Sequence, residues 1–359
     1  MDDWQEQLKN SITSLEQLSK YIAVEDELSQ VLEAYEFSIT PYYASLIDSN
    51  NKNCPIKKQA VPDIQEITHG FGNKDPLLEN QSSPTSLIIH LYPDRVAFLV
   101  SGICAMYCRH CLRKYTVKMH SKCYSSDEIK SAIAYIKDNS CIRDVLLTGG
   151  DPLMLSDDTL EWILSELRAI SHVEIIRIGT RMVCTLPQRI TDNLCRMIKK
   201  YHPIWLNTQF NHVNELTFDA QCAINKLLDS GVPIGNQSVL LKGINDSPEN
   251  MLNLLHRLVK FRIRPYYIYQ AQTLHSTTHF ITPIETGLQI MKSIRGYTSG
   301  ICEPKYVLDT PFGKVPIDPT YSLGREGDYF LFRTYNDNIW REYNPIEYNF
   351  PHNMNNTAL

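Results

Sequence analysis

"RVAFLVSGICAMYCRHC", residues 95–111, runs from an apolar stretch that reads as a β-strand directly into a C-x3-C-x2-C arrangement of Cys104, Cys108 and Cys111. Beyond it, short β-rich runs recur about every 30 residues, the length of a βαβ unit. They are "RVAFLV" (95–100), "RDVLLTG" (143–149), "EIIRIGT" (174–180), "PIWLNTQF" (203–210), "IGNQSVLL" (234–241) and "PYYIYQ" (265–270). Six such repeats predict a parallel sheet curled into a partial or full barrel. Apolar stripes of period 3.6 fall between them: Leu160, Ile163, Leu164 and Leu167; Leu194, Met197, Ile198 and Tyr201; Met251, Leu254, Leu255 and Leu258. Those stripes are core faces of helices. Ser125 with Glu128, and Ser247 before Pro248 and Glu249, mark helix starts.

Catalytic groups of such barrels collect at the C-terminal ends of the strands. The cysteines follow the first strand, "TGGD" (148–151) the second and "QFNH" (209–212) the fourth, while Gln237 lies in the fifth and Gln270 to Gln272 end the sixth. The expected organisation is an α/β chain with a helical and irregular cap over residues 1–90, a partial (βα)6 barrel over 91–300, and a C-terminal segment over 301–359. Within the cap, "ITPYYASLID" (39–48) reads as ordered.

Composition narrows the function classes. A chain of 359 residues is long enough for two average domains or one barrel. Its 43% hydrophobic and 21% charged residues are ordinary for a globular enzyme. A net charge of −5 without a dense Lys/Arg block argues against nucleic acid as a partner. The acidic start "MDDWQEQ" lacks the apolar core of a signal peptide, and no run approaches the ~18 apolar residues of a membrane span, so the expected location is the cytoplasm. Seven of the ten cysteines are scattered, at 54, 123, 141, 184, 195, 222 and 302. In a reducing compartment a tight triplet points to metal binding or catalysis rather than disulfides.

Three thiolates can occupy three corners of a cubane 4Fe-4S cluster and leave one iron open to a substrate or cofactor. The alternative is a zinc site completed by His110 or a distant cysteine. Structural zinc usually serves small modules short of core, which this chain is not. "TGGD" taken alone suits a tight strand-to-helix turn equally well, and Gln237 suits a satisfied polar residue inside a barrel.

The triplet, on the loop after the first strand of a six-unit barrel, resembles the signature of the radical S-adenosylmethionine (SAM) enzymes. "MYCRHC", "ITPYYASLID", "YPDR", "LPQRIT", "NTQFNH", "GNQSVLL" and "RPYYIYQ" narrow the likeness to the lysine 2,3-aminomutase family, from about residue 35 to about residue 345. This resemblance implies a 4Fe-4S cluster that binds and reductively cleaves SAM, and pyridoxal 5'-phosphate (PLP) that carries the substrate amine from Cα to Cβ. It makes Cys104, Cys108 and Cys111 the cluster ligands, and lines SAM with Gly149, Gly150, Asp151 and Gln237. It gives Lys314 of "LDTPFGKVP" (308–316) to PLP as the catalytic lysine, with Lys305 a nearby competitor because this stretch is shorter than the family's glycine run and carries Phe312. Tyr92 and Arg95 match the residues on the PLP hydroxyl and phosphate side, and Arg113 the arginine that grips the substrate carboxylate, a task suited to a planar fork.

The substrate is expected to be L-lysine, yielding β-lysine. Where the lysine enzymes hold the distant ammonium with two aspartates, this chain has Asp309 and Gln272. Losing a carboxylate about 4 Å away forfeits on the order of 4 kcal/mol of attraction at an effective dielectric near 20. The glutamine oxygen still accepts a hydrogen bond. Arginine is therefore an alternative substrate, and glutamate a lesser one, since Asp309 would repel its side chain. Gln209 is a further departure, standing where relatives commonly carry histidine. A radical SAM enzyme without PLP is the other alternative. No zinc is expected, because the last cysteine is Cys302 and Ser247 stands where a partner cysteine would be. An electron donor such as flavodoxin or ferredoxin is implied, and a homo-oligomer is plausible.

Overall fold

The computed structural model describes residues 4–68, 71–115 and 124–344. The remaining parts of the expected cap, core and tail, Cys123 among them, lie outside the described residues. One sheet of nine strands holds the chain together, in the order β1 (Ile88–Tyr92), β2 (Arg95–Ser101), β3 (Asp144–Gly149), β4 (Ile175–Gly179), β5 (Ile204–Thr208), β6 (Ile234–Leu240), β7 (Arg264–Gln270), β8 (Lys305–Thr310) and β9 (Gly313–Pro316). Strands β2 to β8 are parallel. The two edge strands, β1 and β9, run antiparallel to their neighbours as hairpins. This is the parallel-rich, nearly closed barrel that the six repeats predict, and all six expected strands are present as β2 to β7.

Helices Ser126–Asp138, Asp157–Arg168, Asp192–Lys199, Phe218–Asp229, Pro248–Lys260 and Ile284–Ile294 return the chain between strands. The first five starts are capped by side chains: Ser125 with Glu128 as a capping box, then Ser156, Thr191, Thr217 and Ser247. The apolar stripes face the sheet, with Leu160, Ile163, Leu164, Leu167, Leu194, Ile198, Met251, Leu254 and Leu258 all buried. Truncating one such leucine to alanine costs about 2–5 kcal/mol.

The seventh parallel strand is an addition to the expected six, and it owes its place to neighbours far away in sequence. A Cβ on Gly287 would lie 2.2 Å from the Tyr306 ring, so the glycine lets β8 pack against its helix. Tyr306 then donates to Gln270 Oε1 at 2.5 Å, and Gln270 Nε2 donates to the Thr282 carbonyl at 2.7 Å. Those bonds seat β8 beside β7 and bring Asp309 and, across the hairpin, Lys314 to the open edge.

Before β1 the chain forms short helices, among them Pro41–Ser45, whose cap Thr40 also donates to the Thr185 carbonyl at 2.6 Å. Strands β10 (Ser322–Glu326), β11 (Tyr329–Arg333) and β12 (Ile339–Tyr343) make a separate antiparallel sheet. No helix among the described residues is long and apolar enough to cross a membrane.

Candidate active site

The cysteine loop leaves β2 at Ser101 and is pinned from two sides. The carbonyls of Ser101 and Ile103 accept from the N–H groups of Gly150 and Asp151 at 2.6 and 2.9 Å. A Cβ at Gly150 would stand 2.3 Å from the Ile103 oxygen, and one at Gly149, whose φ is +119°, would stand 2.3 Å from the Ser101 oxygen. The two glycines therefore permit one loop to lie directly on the other. From the opposite side, the N–H groups of Tyr107 and Arg109 donate to the carbonyls of Ser38 and Gln59 at 3.1 and 2.9 Å.

Arg109 is buried and forks onto Glu66 at 2.9 and 2.5 Å, a carboxylate that Lys114 Nζ shares at 2.5 Å. Burial works against the Glu66 charge, but Arg109 and Lys114 together hold its carboxyl below the usual range. Burial and the Arg109 charge push the Lys114 ammonium down to about 8, against the pull of Glu66.

Cys104, Cys108 and Cys111 line one cavity of about 780 Å³, and so do Tyr92, Arg95, Arg113, Gly149, Gly150, Asp151, Gln237, Gln272, Asp309 and Lys314. These residues, singled out from the sequence for a cofactor or substrate, thus line the same space, whereas the competitor Lys305 is exposed and does not line it. The cysteines stand beyond the C-terminal end of β2 and Arg95 at its start, so the cavity runs the length of the barrel.

At the cysteine end, burial pushes the Cys104 thiol well up and that of Cys111 to about 11, so a metal bound there would have to displace their protons. Arg181 Nη1 donates to Cys108 Sγ at 2.9 Å. Asp151 caps the turn at Leu153 N (3.0 Å) and accepts from Thr180 Oγ1 (2.7 Å) and Arg181 N (2.8 Å). Burial raises its carboxyl to about 6 even against those donors. His110 Nε2 meets the side-chain amides of Gln209 and Asn211 at 2.9 and 3.3 Å, and burial keeps the ring neutral.

At the open edge, the backbone N–H of Lys314 on β9 donates to Tyr92 Oη on β1 at 2.8 Å. One tyrosine thereby bridges the two edges of the sheet. Lys314 Nζ pairs with Asp309 Oδ1 at 3.0 Å, and Gln272 Nε2 donates to the Asp309 backbone carbonyl at 2.8 Å. Gln272 Oε1 is left as the acceptor end. Phe312 is 96% exposed at the hairpin tip. The Arg95 guanidinium stacks 3.7 Å from the Tyr92 ring centre and pairs with Asp94 at 2.9 Å.

Three further residues escaped the sequence reading. Glu79 takes the Nε–Nη2 edge of Arg113 bidentately, at 3.0 and 2.7 Å, and against the cost of burial its charge keeps the guanidinium firmly protonated. Arg177 lines the cavity near Arg95 and is held by Asp144 at 2.7 Å. The alternation of β4 carried that signal, since Arg177 lies out of phase with the buried Ile176 and Ile178. Arg181 had no local signal.

The residues fit the groups that such a cavity would hold. Among the described residues no three His, Cys, Asp or Glu side chains close around a single ion. A cubane does not need them to, because its corner irons sit on separate thiolates. His110 Nδ1, Asn207 Nδ2 and Thr208 Oγ1 are buried in the cavity wall without a protein partner, which suits a polar ligand.

The Radical SAM superfamily profile matches residues 98–255. An L-lysine 2,3-aminomutase of Methanococcus maripaludis is 47% identical over 97% of this chain and 83% of its own length. The chain belongs to the lysine 2,3-aminomutase family of radical SAM enzymes. A second L-lysine 2,3-aminomutase, from Clostridium subterminale, is 45% identical over 97% of this chain and 85% of its own. The family's printed substrates differ: a glutamate 2,3-aminomutase of Clostridioides difficile is 43% identical over 94% of this chain and 82% of its own. A radical SAM domain works with a 4Fe-4S cluster and SAM, and three cavity-lining thiols would suit a cluster with one iron left open.

Proposed function

We propose that this chain is a SAM- and PLP-dependent radical aminomutase that moves the α-amino group of L-lysine to the β-carbon. The observation that carries the reading is the single cavity shared by the cysteine triplet and the Lys314–Asp309 pair. Bound there, the cluster and SAM supply a radical and PLP supplies an electron sink for the migrating nitrogen.

The protein's own part is to bind, orient and exclude water. Cys104, Cys108 and Cys111 hold the cluster. Gly149, Gly150 and Gln237 line the SAM side, with Asp151 fixing the loop that carries the glycines. Tyr92 and Lys314 hold the PLP ring side. Arg95, with Arg177 on the same wall, meets its phosphate.

Arg113 receives the substrate carboxylate on the Nη1 side, since Glu79 already occupies the other edge. The Asp309 carboxylate and Gln272 Oε1 are the two acceptors offered to a substrate cation, and the substrate ammonium competes with Lys314 Nζ for the first. That pair of acceptors favours lysine over glutamate. A low-potential donor such as flavodoxin or ferredoxin supplies the electron in the cytoplasm, and a homo-oligomer is compatible with the fold.

The test is an anaerobic assay of the iron-loaded protein with SAM, PLP and dithionite, offered lysine, arginine or glutamate separately. β-Lysine is the expected product. A β-amino acid from arginine or glutamate alone would overturn the substrate, and SAM cleavage with none of the three products would overturn the aminomutase.

A further inference from the structure

Arg181 lies just past β4, in none of the motifs that point to the family. Its side chain is buried and bonds to four residues in three other parts of the fold. Nη2 donates to Glu215 Oε1 and to Gln59 Oε1, both at 2.6 Å, Nε to the Gln209 carbonyl at 3.2 Å, and Nη1 to Cys108 Sγ at 2.9 Å. Its backbone N–H donates to Asp151 Oδ2. One residue therefore links the cysteine loop to the loops after β3 and β5 and to the N-terminal segment.

A buried guanidinium is costly unless paired, and Glu215 supplies the partner. That carboxylate is shared, however. It also accepts from Tyr43 Oη at 2.6 Å and from the N–H groups of Asn211 and His212 at 2.6 and 2.9 Å. Glu215 sits on Nη2 while Nη1 faces Cys108, so the ion pair turns its positive end toward the sulfur. A neutral thiol makes poor use of such a donor, because thiol sulfur is a weak acceptor. A thiolate makes good use of it.

We propose that Arg181 is a positioning residue for the iron–sulfur centre, donating from Nη1 to the Cys108 thiolate and raising the cluster's reduction potential. The inference rests on the reading that Cys104, Cys108 and Cys111 hold the cluster. Reduction places one electron from dithionite, or from a low-potential donor protein, on the cluster, whose charge becomes more negative by one. A fixed cation beside one sulfur stabilises that added charge more than the oxidised form. Its removal makes the cluster harder to reduce.

The experiment compares iron-loaded wild-type protein with Arg181→Lys, Arg181→Gln and the double variant Arg181→Gln with Glu215→Gln, which leaves no lone buried carboxylate. Iron and sulfide content are measured first, then the midpoint potential by EPR-monitored titration without SAM. In the neutral variants the reduced-to-oxidised ratio at a fixed potential should fall about tenfold, a downward shift of about 59 mV for one electron. Arg181→Lys should lie between them and wild type. Full iron content with an unmoved potential overturns the proposal.

A readout on the unaltered protein covers the case in which the neutral variants lose iron. Pulsed EPR of the reduced wild-type cluster, prepared with 15N-arginine, should show a weakly coupled arginine nitrogen, and its absence overturns the proposal. If Cys108→Ala retains wild-type iron and an unaltered EPR spectrum, the cluster assignment itself is wrong and this inference goes with it.

Discussion

The two ends of the cavity are held in different ways. Around the cysteine loop, Ser101 and Ile103 accept backbone bonds from Gly150 and Asp151, Tyr107 and Arg109 donate to Ser38 and Gln59, and Arg109, Lys114 and Glu66 form a buried charge cluster beneath it. At the open edge, the Lys314 main chain is tied across the seam by one bond to Tyr92, and its ammonium by one ion pair to Asp309. The first end is immobilised by a network; the second by contacts that a ligand can replace. The difference matches the chemistry proposed for each. An iron–sulfur centre needs a fixed donor set. A lysine that serves PLP must release its carboxylate partner and take it back, so weaker tethering is an advantage there.

Substitutions at the two ends should differ accordingly. Cys108→Ala should have the largest effect, with loss of the 4Fe-4S signal and of SAM cleavage. A variant that retains both would remove the triplet from the reaction. Lys314→Ala should keep the iron and SAM cleavage yet lose the PLP absorbance and reduce β-lysine formation by at least about 10²-fold. Loss of iron in that variant would mean that the two ends are not separable.

Gln272→Asp restores a second carboxylate near Asp309 and should lower the KM for lysine about tenfold, ~1.4 kcal/mol. An unchanged KM, with kcat also unchanged, would place the ammonium elsewhere. Tyr92→Phe removes only the acceptor for Lys314 N–H. Its cost is about 1 kcal/mol, seen as a severalfold weaker PLP affinity with the iron content intact. A change in iron but not in PLP would reverse the roles assigned to the two ends.

How legible each part is in the sequence follows the same division. β2 to β7 read directly because parallel strands are apolar runs between capped, amphipathic helices, and the cysteine loop follows one of them. β8 is no different in composition, but what seats it is Gly287 under the Tyr306 ring and the Tyr306–Gln270 bond, neither a local signal. β9 is four residues long and ends in proline, too short for any periodicity. Lys314 and Tyr92 are 222 positions apart, so only the closing of the sheet brings them together. Arg181 was unreadable for a similar reason: Cys108 and Gln59 lie 73 and 122 positions away. Glu79 belongs to a short 3-10 turn outside every motif, and its meaning appears only against Arg113.

On the proposed reading the PLP site forms at the seam where the two sheet edges meet, with Lys314 as the residue PLP uses. Borohydride reduction of the PLP-loaded protein, followed by proteolysis and mass spectrometry, locates that lysine directly. The phosphopyridoxyl group should be found on Lys314. Its appearance on Lys305, or on any other lysine outside the cavity, would rule Lys314 out as the PLP lysine.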